Sequence, residues 1–177
     1  MDKKELRRQI RELKRAMTGE QIDAASARLG ELFLNCPQYK EAKTIYGYLP
    51  YNQEVRTVPM LEQAMREGKR VAVPKCYGDE MRFIYMDDLS KVEKGYANIP
   101  EPIADAPVAD DKTALVLMPG MAFTKDGKRM GYGGGFYDKF LAAEPDHPTV
   151  ALCYDFQMVE DLPTEEYDIP VDCVLWA

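Results

Sequence analysis

The chain has 177 residues, 46% of them apolar, and a formal net charge of −7 at pH 7. That length and apolar content predict one compact domain over 1–177 with a substantial core. No apolar stretch is long enough to span a membrane, and an acidic body argues against the broad basic face that general nucleic-acid binding needs. The cysteines Cys36, Cys76, Cys153 and Cys173 are scattered without metal-ligand spacing. They read as reduced thiols of a cytoplasmic protein, expected as a monomer or weak homodimer. The single histidine, His147, precedes Pro148 in a predicted loop and reads as a surface residue, with a catalytic role as the alternative.

The first fifteen residues hold Lys3, Lys4, Arg7, Arg8, Arg11, Lys14 and Arg15 against Asp2, Glu5 and Glu12, which is 7 − 3 = +4 and leaves −11 for the rest. Leu6, Ile10, Leu13 and Met17 fall on one helical face, so the arm is predicted to be a docked amphipathic helix. Its polar start is unlike a signal peptide. The basic side is either a solvated face or a surface that meets a small anion. Thr18, with Gln21 three residues on, reads as a capping box. The helix it opens carries Ile22, Ala25, Leu29, Leu32 and Phe33 inward, with Pro37 just beyond its end.

Thr44 to Leu49 is a β-rich run stopped by Pro50. The loop 50–54 follows the strand's C-terminal end, where α/β proteins commonly place ligands. Val58 to Gly68 reads as a helix with Leu61, Ala64 and Met65 inward and Gly68 as its C-cap. Strands are predicted at 70–74 and 81–85, and residues 86–113 read as a long loop region. Ala114 to Met118 is a buried strand, Pro119-Gly120 ends it, and Asp126-Gly127 marks a turn. A strand over 149–153 and a last apolar run over 171–176 complete the chain. The alternation predicts a three-layer α/β/α domain with a mainly parallel sheet.

The densest chemistry lies between. Gly131, Gly133, Gly134 and Gly135 precede a short helical pattern with apolar Phe136, Phe140 and Leu141. Glycines at that density let backbone N–H groups approach a ligand, and a helix starting near Gly135 favours an anion at its N-terminus. Asp138 falls in its first turn, serving the helix dipole or holding a metal ion. With Lys125, Lys128 and Arg129 ahead of the glycines, the stretch points to a polyphosphate with magnesium. It is neither a Walker loop, which needs Gly-Lys-Ser/Thr, nor a dinucleotide fingerprint, which wants glycine where Phe136 stands.

The stretch Arg129-Met130-Gly131-Tyr132-Gly133-Gly134-Gly135-Phe136-Tyr137-Asp138, preceded by Pro119-Gly120-Met121-Ala122-Phe123, resembles the signature of the 5-formyltetrahydrofolate cyclo-ligase (methenyltetrahydrofolate synthetase) family. The likeness extends from Lys3 to Asp168 and includes Glu54-Val55-Arg56-Thr57 and Ile99-Pro100-Glu101-Pro102. It implies that Lys3, Lys4, Arg7, Arg129, Gly131, Gly133, Gly134, Gly135 and Tyr137 bind ATP. It further implies that Leu49, Glu54, Tyr132 and Phe136 line the folate, that Asp138 and Asp168 hold Mg2+, and that Arg129 and Tyr132 are catalytic. A carboxylate at Glu54 suits the donor-rich edge of a pterin, and Tyr132 and Phe136 are either stacking faces for it or ordinary core. Arg56 stands where an acidic or amide residue is usual, Tyr167 where histidine is usual, and the C-terminus differs from the family's usual ending.

The activity so implied is ATP-dependent closure of 5-formyltetrahydrofolate to 5,10-methenyltetrahydrofolate, with phosphorylation of the formyl oxygen and release of ADP and phosphate. Two other classes stay open at this point. One is a nucleotide-binding regulatory module without catalysis, and the other a different small-molecule transferase on a similar scaffold.

Overall fold

A computed structural model of the protein describes residues 2–177. Three helices come first: α1 (Lys3–Arg15), α2 (Gly19–Asn35) and α3 (Pro37–Glu41). They lead into β1 (Thr44–Tyr46), α4 (Val58–Arg66), β2 (Arg70–Tyr77) and β3 (Glu80–Met86). The short strands β4 (Val92–Lys94) and β5 (Pro100–Pro102) follow, then β6 (Leu115–Met118). The chain ends through β7 (Ala122–Phe123), β8 (Arg129–Met130), α5 (Phe136–Ala143), β9 (Thr149–Cys153) and β10 (Cys173–Trp176).

Six strands form the main sheet in the order β10-β9-β6-β1-β2-β3, all parallel except the antiparallel edge strand β3. Successive strand residues point to opposite faces, and the two faces are separate cores. Ile45, Leu115, Leu117 and Val150 pack with Leu29 and Phe33 of α2 and Leu61 of α4. Tyr46, Val116, Met118 and Ala151 pack with Leu141 of α5 on the other face. Both faces are covered, which is why these strands read as unbroken apolar runs. The three-layer α/β architecture expected from the sequence is present.

Local chemistry explains the helix starts. The Asp2 carboxylate accepts the Glu5 N–H at 2.7 Å to cap α1. At α2 the Thr18 hydroxyl accepts the Gln21 N–H at 3.1 Å, and the Gln21 side chain accepts the Thr18 N–H at 2.9 Å. Such a cap contributes about 1 kcal/mol. Gly68, with φ of +85°, follows α4 as expected.

Four readings need correction. Pro37 does not merely follow α2; it opens α3 at a first-turn position, where its missing N–H costs nothing. The 86–113 region is not all loop, because β4 and β5 pair into an antiparallel ribbon around a 3-10 turn at Tyr96–Asn98. Leu13 is 47% exposed while Lys14 is 7% exposed, so α1 is rotated from the expected face. Ile10 is its anchor, seated among Met121, Ala122, Met130 and Leu162. His147 is buried, not on the surface: its ring nitrogens lie 2.7 Å from the Ala114 carbonyl oxygen and 2.9 Å from Glu144 Oε1. That ring ties the α5–β9 loop to the start of β6. Among the described residues no helix is long and apolar enough to cross a membrane.

One turn joins the signature stretch to the last loop. Gly127 has φ of +95°, and a Cβ there would fall 2.2 Å from the Val171 carbonyl oxygen. The Val171 N–H donates to the Gly127 carbonyl at 2.8 Å. Gly127→Ala combines steric overlap with a backbone conformation that alone costs ~1–3 kcal/mol. The expected loss is about 3 kcal/mol, or a fall in Tm of ~6–12 °C for a chain of this size. Thermal unfolding followed by circular dichroism measures it, and an unchanged Tm would show that the close approach has no structural weight.

Candidate active site

The position of the site follows from the strand order. The chain goes from β1 to β2 on one side, then crosses to β6 on the other, so the loops after β1 and β6 part company. Open α/β sheets bind ligands in the crevice at such a reversal. A cleft of about 620 Å³ lies there. Its walls are the 48–54 loop after β1, the 119–135 segment after β6, helix α1, and the tip of the β4–β5 ribbon.

One half of the cleft is lined by cationic side chains. Lys3 and Arg7 reach it from α1 and Arg129 from β8. The Nε atoms of Arg7 and Arg129 are buried and have no hydrogen-bond partner. Buried polar atoms are nearly always paired, so an unpartnered guanidinium donor needs a reason. Burial holds the Arg129 guanidinium below the ordinary arginine range, with the nearby Asp138 carboxylate opposing that shift. Its head lies 5.6 Å from the Tyr137 ring centroid, and a Cβ on Gly131 would come within 2.8 Å of one of its terminal nitrogens. Glycine at 131 is what lets the guanidinium lie against the backbone.

The glycine loop then turns into α5. Gly133 and Gly135 have φ of +103° and +69°, conformations that L side chains seldom adopt. Gly135 is the helix N-cap and offers no side chain to satisfy the first N–H groups of α5, which is the arrangement that receives an anion. Asp138 sits in the first turn. Its Oδ1 accepts the Ile169 N–H at 3.1 Å, while Asp168 Oδ2 accepts the Glu165 N–H at 2.7 Å. Each contact engages one carboxylate oxygen, and both acids line the cleft.

The other half is a polar floor beside aromatic and apolar walls. Glu54 accepts the Tyr51 N–H on Oε1 at 2.8 Å and the Tyr132 hydroxyl on Oε2 at 3.1 Å. Lys14 Nζ donates to the same hydroxyl at 3.3 Å. Burial raises the Glu54 pKa, opposed chiefly by the Lys14 charge. Burial and the Glu54 carboxylate raise that of Tyr132. The Tyr132 residue lines the cleft and is 49% exposed, while its hydroxyl is engaged from two sides. Leu49 and Phe136 line the cleft, and Phe136 meets Tyr96 of the ribbon edge-on at 5.1 Å between centroids.

Nearly all the site residues expected from the sequence converge here: Lys3, Arg7, Leu49, Glu54, Arg129, Gly131 to Gly135, Phe136, Tyr137, Asp138 and Asp168 all line the cleft. Lys4 does not; it is exposed and outside the lining. Lys14, Arg11, Tyr96 and Glu101 line it without having been singled out. The spacing 3, 7, 11 and 14 is itself a helical stripe, so the basic members were legible as a face. Nothing local marks Tyr96, which the ribbon carries in from a segment read as loop.

A mainly parallel sheet with two arginines and a glycine-loop helix start at its switch point, beside a carboxylate-floored compartment, defines an α/β protein with one divided cleft. The model of the 5-formyltetrahydrofolate cyclo-ligase family matches residues 1–177, and the chain belongs to that family. It is 33% identical over 175 residues to the 5-formyltetrahydrofolate cyclo-ligase of Escherichia coli K12, covering 94% of this chain and 95% of that one. The mouse 5-formyltetrahydrofolate cyclo-ligase is 27% identical over 188 residues, covering 98% of this chain and 93% of that one. The NMR structure of the Aquifex aeolicus 5,10-methenyltetrahydrofolate synthetase matches with a TM-score of 0.85 and 28% identity, over 99% of this chain and 90% of that one.

Proposed function

We propose that residues 1–177 act as one catalytic domain, a cytoplasmic ligase that uses ATP to close 5-formyltetrahydrofolate to 5,10-methenyltetrahydrofolate, releasing ADP and phosphate. The observation that carries this reading is that Arg7 and Arg129, each with a buried Nε that has no hydrogen-bond partner, line one cleft with the Glu54 carboxylate. Donors without acceptors fit a polyphosphate, and a fixed carboxylate fits the N–H donors of a pterin.

A formamide carbonyl is a poor electrophile because nitrogen donates into it. Transfer of the γ-phosphoryl group to the formyl oxygen makes that oxygen a leaving group. The neighbouring secondary amine of the folate then attacks the formyl carbon and loses its proton, and phosphate departs as the second C–N bond is completed. The protein aligns the formyl oxygen with the γ-phosphate and stabilises charge on the phosphoryl oxygens. Lys3, Arg7, Arg129 and the Gly133–Gly135 backbone, which line the cleft, would meet that charge. Tyr132, at the boundary of the two compartments, orients the substrate beside Glu54, with Leu49 and Phe136 as walls.

Asp138 and Asp168 fit Mg2+, because both line the cleft and the backbone N–H contact each makes engages only one of its hard carboxylate oxygens. No group of three or more acids, histidines or cysteines able to hold a metal occurs among the described residues, so phosphate oxygens and water would have to complete the ion's shell. Bound there, the ion would neutralise phosphate charge.

Appearance of methenyltetrahydrofolate absorbance on mixing protein, MgATP and 5-formyltetrahydrofolate tests the activity; its absence would reject it. The division of the cleft has its own test. Glu54→Gln loses a charge-assisted contact, worth ~1.5–3 kcal/mol, so the folate Kd should rise about tenfold or more while the ATP Kd stays near wild type. Calorimetric titrations showing equal losses for both ligands would contradict the assignment.

A further inference from the structure

Lys14 is the only buried lysine among the described residues. It has no carboxylate within ion-pair distance there, and its one side-chain hydrogen bond is to the Tyr132 hydroxyl. Taking an ammonium out of water without an opposite charge in contact is unfavourable, and a leucine or methionine at this point of α1 would avoid it. Lys14 lies in the last turn of α1, where a cation suits the helix dipole. That role needs no burial, and the adjacent exposed Arg15 already meets it.

The geometry of its neighbours supplies a reason. Glu54 is fixed at Oε1 by the Tyr51 N–H, but at Oε2 only by the Tyr132 hydroxyl. Tyr132 stands in the glycine loop, where adjacent Gly131 and Gly133 give it no side-chain support. Its hydroxyl has two ties: it accepts from Lys14 and donates to Glu54. A cation accepted on the oxygen fixes the direction of the O–H and makes it the better donor, since linked hydrogen bonds polarise one another.

We propose that Lys14 is a positioning residue for substrate recognition: through the Tyr132 hydroxyl it aims the Glu54 carboxylate at the N–H donors of the folate ring. This rests on the assignment of Glu54 to the folate. The charges agree with it. Burial lowers the Lys14 pKa and the Glu54 charge opposes that shift, as Lys14 in turn opposes the rise at Glu54. Arg56 and the Tyr48, Tyr137 and Tyr154 phenols also surround this floor, as does the Cys153 thiol, but none of them donates to Glu54. A second role for Lys14, as one more phosphate cation beside Lys3 and Arg7, makes the opposite prediction about which ligand suffers.

The test is titration calorimetry of 5-formyltetrahydrofolate and of ATP, with kcat at saturating substrates, on Lys14→Met, Tyr132→Phe, their double variant and Glu54→Gln. Lys14→Met should raise the folate Kd about fivefold to tenfold, and leave the ATP Kd and kcat within about twofold. Acting through one hydroxyl, the Lys14 and Tyr132 changes should not add, so the double variant should bind folate no worse than the weaker single. Additive losses, unchanged folate affinity in Lys14→Met, or a loss confined to ATP would each overturn the proposal. Lys14→Gln, too short to keep the contact, gives the same test if the methionine variant does not fold. Unchanged folate affinity in Glu54→Gln would overturn the folate assignment and this inference together. A weakened Glu54→Gln beside an unaffected Lys14→Met would overturn this inference alone.

Discussion

Replacing Arg129 with Met should lower kcat/KM for MgATP about 10²–10³-fold and leave the Tm unchanged or higher. The first half follows from removing a fixed donor aimed at developing phosphoryl charge, where single such groups are worth ~2.7–4 kcal/mol. The second half follows from the unpartnered, buried Nε. That Nε gives up hydration without a matching acceptor, and an unbranched apolar side chain of similar length avoids that cost. Met can also lie along Tyr137, where the guanidinium head now sits 5.6 Å from the ring centroid. Opposite signs for activity and stability are the mark of a residue kept for its ligand. Steady-state kinetics and thermal melts on one preparation decide the matter. A large fall in Tm would make Arg129 a structural residue, and unaltered ATP kinetics would remove it from the phosphate site.

Asp138→Asn should reduce turnover about 10³-fold at ordinary magnesium while the protein stays folded. Asn keeps a carbonyl oxygen for the Ile169 N–H, now 3.1 Å from Asp138 Oδ1, so the 165–171 loop should remain docked on α5. What is lost is the anionic oxygen that would face a divalent ion, an effect worth several kcal/mol in the transition state, and each 1.36 kcal/mol is tenfold in rate. Raising magnesium should recover part of the activity, because the remaining ligands hold the ion more weakly. Near-normal turnover by a folded Asp138→Asn protein would end the metal assignment. Loss of folding would instead make the Asp138–Ile169 contact structural.

The sequence by itself determined the elements whose cause is local. The Thr18–Gln21 capping box, the Gly68 stop after α4 and the start of α5 at Gly135 depend on residues within one turn of each other, and all are where the pattern put them. Unbroken apolar runs such as 114–118 and 150–153 announced strands covered on both faces, and with them the parallel sheet. The glycine stretch and the basic face of α1 were legible for the same reason. Short pairings were not. Strands of two or three residues, β4, β5, β7 and β8, show no periodicity, so only the fold brings Tyr96 to the cleft. Burial of single polar residues was equally hidden. His147 is enclosed because its ring meets Ala114, 33 residues earlier in the chain, and Lys14 because Tyr132 is 118 residues away. The rotation of α1 that buries Lys14 and exposes Leu13 is set by what Ile10 finds on the body, which no pattern within the helix contains. Local hydrogen bonding and hydrophobic period are written along the chain. Which charge shares a cleft with which carboxylate is decided by packing between segments far apart in it.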